Sequence, residues 1–409
     1  MSLIQSLLLL LLLSRVLGEI ATRFGQPAML GEIAAGIILG PSCLGYIHYT
    51  PEIKAIADIG VLLLVFLAGM EMDIDTLLAS FRGRAAWVSA AGFLVPLIGG
   101  ILLGAMFGLD NMRTTFLGLC IAITALPVSV RILMDLGKLQ SDIGQRIISA
   151  SVANDFVSLL VLGVILDLKN APATLQQFLI SISQSLGKAL IFMAVFAIAA
   201  RLVRRYSPAR LLKSTGPIER ILSSFKGDEV RFASILLFVI AFASFSEFLG
   251  LDFVVGAFFG SMLLSHDALG KSNFKKIEQT ASSVTMGFVG PVFFAAIGLE
   301  FNASSLKDWT LVTAVLLVSF AGKILGGYIG GRLAKLGHAA SWTLGMGLNG
   351  RGVMELVIAN IALSSGLIGP QLFTTLVLMA VVTTFATPVL LRTGFQYLEK
   401  TQPKPLAPS

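Results

Sequence analysis

Apolar stretches of about 17–25 residues recur along the whole chain, and each is long enough to cross the hydrocarbon of a bilayer as an α-helix. The candidate spans are 3–22, 27–43, 55–71, 85–107, 114–134, 145–166, 184–204, 231–249, 251–265, 280–299, 309–335, 341–364 and 369–393. The expected fold is therefore an all-α integral membrane protein with about thirteen transmembrane helices, a number no soluble fold needs. Charge agrees: Asp, Glu, Lys and Arg make up 13% of the chain, about half the share found in ordinary soluble domains. A cleavable signal peptide is the alternative for residues 1–25. Arg15, Glu19 and Arg23 follow the leucine run and no small-residue cleavage site is present, so the segment reads as the first span.

The net charge of +7 is explained by topology rather than by a nucleic-acid partner. One set of loops holds Arg23; Arg82 and Arg84; Arg131, Lys138 and Arg146; Arg201 to Arg231; Lys271, Lys275 and Lys276; Arg332 and Lys335; and Arg392 with Lys400. The alternate set holds Lys54, Arg113, Lys169 and Lys307. Positive loops face the cytoplasm, so the N-terminus is expected outside and the C-terminus inside, in a membrane of the bacterial cytoplasmic type. The basic stretch 201–231, with Pro208, Gly216 and Pro217, reads as a cytoplasmic linker at the midpoint of the chain.

The two halves echo each other. Gly-Glu-Ile-Ala-Ala-Gly-Ile-Ile-Leu-Gly at 31–40 resembles Leu-Asp-Phe-Val-Val-Gly-Ala-Phe-Phe-Gly at 251–260. Leu-Leu-Val-Phe-Leu-Ala-Gly-Met-Glu-Met-Asp at 63–73 resembles Val-Phe-Phe-Ala-Ala-Ile-Gly-Leu-Glu-Phe-Asn at 292–302. An odd number of crossings separates the matched segments, so the repeats are expected to be inverted across the membrane, with a substrate site at their interface. The same pairing sets the fifth span, around Thr124–Pro127, against the twelfth, around Asn349–Arg351. Pro127 removes a backbone donor from one, and Gly345, Gly347, Asn349, Gly350 and Gly352 crowd the other. Interrupted helices at matching places in two halves point to a transport site; kinked packing helices are the plainer reading of either one alone.

Ionisable groups inside a bilayer are costly and are functional candidates by default. Asp155 is the foremost, lying mid-span in Ile-Ile-Ser-Ala-Ser-Val-Ala-Asn-Asp-Phe-Val-Ser. A carboxylate there binds a proton or a dehydrated alkali cation but not both well, and desolvation disfavours its free charged form. Such competition is enough for exchange; an ion-paired Asp that merely joins helices is the structural alternative. Asn154 supplies a neutral oxygen or a hydrogen bond. Ser151 lies one turn before Asp155, and Thr124 sits on the interrupted span. Oxygen ligands of this kind suit hard monovalent cations. Lys323 is too deep to reach the surface, so it is expected to offset helix dipoles, or to hydrogen-bond Asn154 or a freed carbonyl. Arg351 and Glu355, four apart on one helix face, are expected to form a structural pair. Glu32 and Glu247 read as packing or vestibule residues.

Cys43 and Cys120 are far apart, and His48, His266 and His338 lack ligand spacing, so neither a disulfide nor a metal centre is expected and no cofactor is implied. No Gly-x-Ser-x-Gly, metal-ligand cluster or paired catalytic Asp is present, so an intramembrane enzyme is not expected.

Gly25–Pro41, Leu63–Glu71, Ile-Thr-Ala-Leu-Pro at 123–127, Asn154-Asp155, Gly-Lys-Ile-Leu-Gly at 322–326 and Arg351-Gly-Val-Met-Glu355 occur in this order along nearly the whole chain. Together they resemble the second cation/proton antiporter family, nearest to plant-type cation/proton exchangers and their bacterial relatives. The resemblance implies a homodimer with a dimerisation part, approximately 1–80 and 231–305, and an ion-translocating core, approximately 85–166 and 309–393, joined by a linker over 167–230. It implies two crossed broken helices in the core and elevator-type alternating access. Asp155 would carry cation and proton in turn, Thr124 would lie at the crossing and Lys323 beside it.

Two departures matter. Electrogenic relatives carry two adjacent aspartates, whereas the first position here is Asn154; one titratable carboxylate implies a one-for-one, electroneutral exchange of Na+ or K+ for H+. Electroneutral relatives of the first family place a glutamate one turn earlier, where Ala150 and Ser151 stand, so the partner of Lys323 is open. Potassium-efflux relatives also carry a cytoplasmic regulatory domain after the last span. Only residues 394–409 follow the last span here, so that domain is expected to be absent or trimmed, and a regulatory cytoplasmic domain or subunit stands as a candidate partner. A gated efflux pore on the same fold is the alternative function. Residue identity does not separate sodium from potassium, because selectivity rests on cavity dimensions and carbonyl field strength.

Overall fold

The computed structural model describes residues 2–70, 72, 74, 79–124, 129–130, 132–133, 136–168, 175–205, 227–251, 253–264 and 269–401. Pro127, Glu71, His266, Lys169 and the linker residues 206–226 lie outside the described residues. The long regular elements are α1 (Leu3–Arg23), α2 (Ala28–Leu39), α3 (Pro51–Met70), α4 (Gly83–Met106), α5 (Asn111–Ala122), α6 (Asp142–Leu168), α7 (Leu175–Arg205), α8 (Asp228–Phe248), α9 (Phe253–Met262), α10 (Lys271–Val284), α11 (Gly290–Glu300), α12 (Trp309–Leu333), α13 (His338–Gly347), α14 (Val353–Ser364) and α15 (Pro370–Thr401). Apart from the fifth, 114–134, of which α5 covers only the residues up to Ala122, each span expected from hydropathy overlaps one of these helices or a pair of them. Among the described residues, eight helical runs are long and apolar enough to cross a membrane.

Local chemistry sets the ends and the breaks. Ser2 caps α1 with a reciprocal contact to Gln5. Asp110 and Asp308 cap α5 and α12 by accepting the amides of Arg113 and Leu311, each at 3.0 Å. Helix α5 stops at Ala122, where Ile123 turns to extended backbone. Helix α13 stops at Gly347 and α14 begins only after Gly352, whose φ of −169° and ψ of −152° are extended. By contrast α10 and α11 form one run through a π-helical segment, Thr285–Val289. There Arg15 of α1 donates to the carbonyls of Met286 and Gly287, the latter at 2.6 Å.

The chain divides into two compact units. The first comprises 1–74 and 159–302. Within it α1 packs on α2, α8 on α9, α2 on α11 and α9 on α3. The α2–α11 crossing is backbone to backbone: a Cβ on Gly36 would lie 1.9 Å from the Ala295 carbonyl oxygen, and one on Gly298 2.2 Å from that of Ile33. Only glycine permits this approach, the same device that joins helices in lipid. The outward face of α1 presents Ile4, Leu8, Leu12, Val16 and Ile20 at every fourth position, an apolar stripe suited to lipid rather than water.

The second unit comprises 75–158 and 303–409. Here α4 packs on α12, α5 on α4, α13 on α12, and α15 on α13 and α14. Again glycines set the contacts: a Cβ on Gly100 would lie 2.6 Å from Gly118 Cα, and one on Gly327 2.4 Å from Gly345 Cα. Both interrupted helices, α5 and the α13–α14 pair, belong to this unit. So does the N-terminal part of α6, which carries Asp155.

Candidate ion-translocation site

A helix end leaves its last carbonyls without intrahelical donors, and in an apolar interior each must be met by something else. At the C-terminal end of α5 the carbonyls of Cys120, Ile121, Ala122 and Ile123 are met by two buried cationic side chains. Arg351 donates to Cys120 (2.6 Å), Ile123 (2.7 Å) and Ile121 (2.7 Å). Lys323 donates to Ala122. The positive charges thus sit where the helix dipole is negative. Glu355 occupies the first turn of α14, where the dipole is positive, with an oxygen 3.6 Å from Arg351 Nε. The expected Arg351–Glu355 pair is formed, both side chains are fully buried, and it joins the ends of the two broken helices. Its long separation makes it an ion pair without a hydrogen bond: neither Glu355 oxygen has a hydrogen-bond partner among the described residues.

The surroundings of Lys323 follow from the sequence in a way its neighbours alone did not reveal. Pro96 lies inside α4 and has no N–H, so the carbonyl four residues earlier, that of Gly92, loses its helical donor. Lys323 fills that role at 3.2 Å. Its third acceptor is Thr124 Oγ1 at 2.6 Å. The ammonium is therefore bound by two carbonyls and a hydroxyl, and Asn154 is one bond further away.

Thr124 stands at the meeting of the two breaks. Its hydroxyl donates across to the carbonyl of Leu348 in the α13–α14 break (3.2 Å) and accepts from Lys323 and from Asn154 Nδ2 (3.3 Å). One donor and two lone pairs are all a hydroxyl has, so Oγ1 of Thr124 is saturated. On α6, Ser151, Asn154 and Asp155 are each no more than 2% exposed. Ser151 donates to the Ile147 carbonyl of its own helix at 2.9 Å, which leaves its lone pairs outward. All seven residues singled out from the sequence (Thr124, Ser151, Asn154, Asp155, Lys323, Arg351 and Glu355) fall in this one unit. Lys323 lies within electrostatic reach of Asp155, Glu355 and Arg351.

Two further side chains bond to backbone carbonyls around the breaks. Thr384 of α15 donates to the Arg351 carbonyl at 2.9 Å, and Asn349 Nδ2 closes the end of α13 on Gly345 O at 3.0 Å. A threonine in an apolar helix does not announce its partner, so Thr384 was not legible; Asn349 was, as a polar residue within the break. Glu32 is buried in the first unit and Glu247 is exposed, so neither belongs to this cluster.

An all-helical membrane unit whose broken helices meet beside a buried carboxylate is the architecture of a secondary transporter. Comparison with known proteins narrows the class. The family model for the transmembrane sodium/hydrogen exchangers matches residues 8–393, and the chain belongs to that family. It is similar to the probable Na+/H+ antiporter GerT of Bacillus cereus, with 31% identity over 95% of this chain and 98% of that one. It is also similar to the Na+/H+ antiporter of Enterococcus hirae, with 30% identity over 96% of this chain and 98% of that one. The structure of the sodium proton antiporter MjNhaP1 from Methanocaldococcus jannaschii superposes with a TM-score of 0.72, covering 97% of this chain and 98% of that one. At 18% identity this last likeness speaks for the fold alone. Membership makes the chain an integral membrane antiporter and not an enzyme.

Proposed function

We propose that this chain exchanges Na+ or K+ for H+ one for one, with Asp155 holding cation and proton in alternation. The observation that carries this reading is the charge arrangement. Lys323 and Arg351 are hydrogen-bonded to helix-end carbonyls, and Glu355 sits opposite Arg351 at the other helix end. Asp155 is the other buried carboxylate among the described residues of this unit, and its neighbour Asn154 adds no charge. Replacing a bound proton by a monovalent cation leaves the net charge of the site unchanged, which makes the cycle electroneutral. Asn154 and Ser151 supply neutral oxygens to the cation, and saturated Thr124 positions Asn154 and Lys323.

The unit holding Asp155 acts as the moving core of an elevator, and the unit of α1–α3 and α8–α11 as the dimerisation scaffold of a homodimer. The exchangeable pairings α1–α2 with α8–α9, α2–α11 with α9–α3, and α4–α5 with α12–α13 support inverted repeats. The loop charges support an N-terminus outside and a C-terminus in the cytoplasm.

In proteoliposomes with an imposed pH gradient, a sodium or potassium pulse is expected to dissipate the gradient, and Asp155→Ala to abolish the response. Acidifying the side of cation addition is expected to raise the apparent KM for the cation, because both compete for one carboxylate. Exchange that survives Asp155→Ala refutes the site. A rate that follows an imposed membrane potential refutes one-for-one coupling, and cation flux without proton movement identifies a gated pore instead.

A further inference from the structure

On α6, the residues Ser151, Asn154, Asp155 and Ser158 are spaced by three and four and share one side of a continuous helix. All four are buried, Ser158 completely. Ser158 differs from six other buried helical hydroxyls of its unit, while Ser129 Oγ is likewise without a hydrogen-bond partner among the described residues. Ser151, Ser341, Thr343, Thr375, Thr383 and Thr387 each donate to the carbonyl four residues earlier. That bond is locally available to any helical serine. Ser158 does not make it, and its Oγ has no hydrogen-bond partner among the described residues. A buried hydroxyl in this condition is unfavourable unless something outside the chain meets it.

The ligand supply near Asp155 indicates what meets it. A dehydrated monovalent cation needs several oxygens. The Thr124 hydroxyl is saturated, and the amide nitrogen of Asn154 is held by it. Ser151 Oγ keeps lone pairs one turn before Asp155. The matching hydroxyl on the other side of Asp155 is Ser158.

We propose that Ser158 is a further oxygen ligand of the transported cation and helps set its selectivity. The inference rests on the reading of Asp155 as the cation carrier. The bound ion would be clasped along α6 by the Asp155 carboxylate between two serine hydroxyls. Protonated Asp155 has no need of Ser158, so the residue would weigh on cation affinity and not on proton affinity.

The test uses the full chain in proteoliposomes with Ser158→Ala, Ser158→Thr and Ser158→Val, the last two alike in shape and different only in the hydroxyl. Ala and Val are expected to raise the apparent KM for sodium or potassium about three- to tenfold, the size of losing one polar contact. Their maximal rate should hold and their ranking of Li+, Na+ and K+ should change, whereas Thr should stay near the parent. If Val does not fold, the Ala–Thr contrast decides. Unchanged KM and ion ranking in Ala overturns the inference, as does a Thr variant as impaired as Ala. Asp155→Asn is measured alongside. If it still exchanges, the underlying site reading has failed; if it is inactive while Ser158→Ala keeps the parent KM, the Ser158 inference alone falls.

Discussion

Replacing Arg351 by methionine should damage the protein more than any surface charge could, and a second substitution should partly repair the damage. The guanidinium holds three carbonyls, at 2.6, 2.7 and 2.7 Å, and faces Glu355, with both side chains at 0% exposure. Methionine fills similar volume but strands those carbonyls, each stranded polar group costing about 1–3 kcal/mol. It also leaves Glu355 as a buried charge without a partner, and breaking a buried pair from one side costs about 3–5 kcal/mol. Because the two costs overlap in one site and the Glu355 carboxyl can take up a proton, they do not add in full. We expect a net loss of roughly 4 kcal/mol, which corresponds to a drop in melting temperature of roughly 8–16 °C for a unit of about 150–250 residues.

The double variant Arg351→Met/Glu355→Met removes the uncompensated charge and should be more stable than Arg351→Met alone by about 2 kcal/mol or more. Thermal unfolding of purified protein in detergent, followed by intrinsic fluorescence, measures all three proteins. A single variant that melts within a degree or two of the parent would show that the α5 carbonyls do not depend on Arg351. A double variant less stable than the single would show that Glu355 is held by something other than the arginine.

Three further outcomes follow. Thr124→Val removes the hydroxyl shared by Lys323, Asn154 and Leu348 O, so exchange in proteoliposomes should fall by about tenfold or more, while Thr124→Ser stays near the parent; equal activity in both would remove Thr124 from the site. Gly36→Val cannot be accommodated where a Cβ would approach a carbonyl oxygen at 1.9 Å, and should abolish the monodisperse peak in size-exclusion chromatography, whereas Gly45→Ala, with open space around it but a positive φ, should lose only about 1 kcal/mol. Cys43 is exposed and Cys120 fully buried, so a maleimide should modify the first and not the second in the folded protein. With the N-terminus outside, an impermeant maleimide should reach Cys43 in right-side-out vesicles; labelling only in inverted vesicles would reverse the proposed topology.

The membrane class and the spans were legible because the bilayer imposes a length and a hydrophobicity on every crossing, and these are properties of consecutive residues. The seven candidate residues stood out for a related reason: a charge, amide or hydroxyl at the middle of an apolar run is expensive. The pairing of Arg351 with Glu355 also followed, since four residues on a helix bring side chains to the same face. What those residues touch was not legible. Lys323 carried a list of partners, and the structure selects Gly92 O, Ala122 O and Thr124 Oγ1. The first of these depends on Pro96, which is far from Lys323 in sequence and adjacent only once α4 packs on α12.

The sequence by itself determined that this protein lives in a bilayer, where its helices break, and which few polar groups lie at those breaks. Only the tertiary structure decided how they are used. Carbonyls freed at the end of α5 have no mark in the sequence, because every residue carries one. They gain their meaning when packing delivers two cations to them. The same packing saturates the Thr124 hydroxyl and leaves that of Ser158 without a hydrogen-bond partner among the described residues, a difference between two hydroxyls that look alike in the sequence.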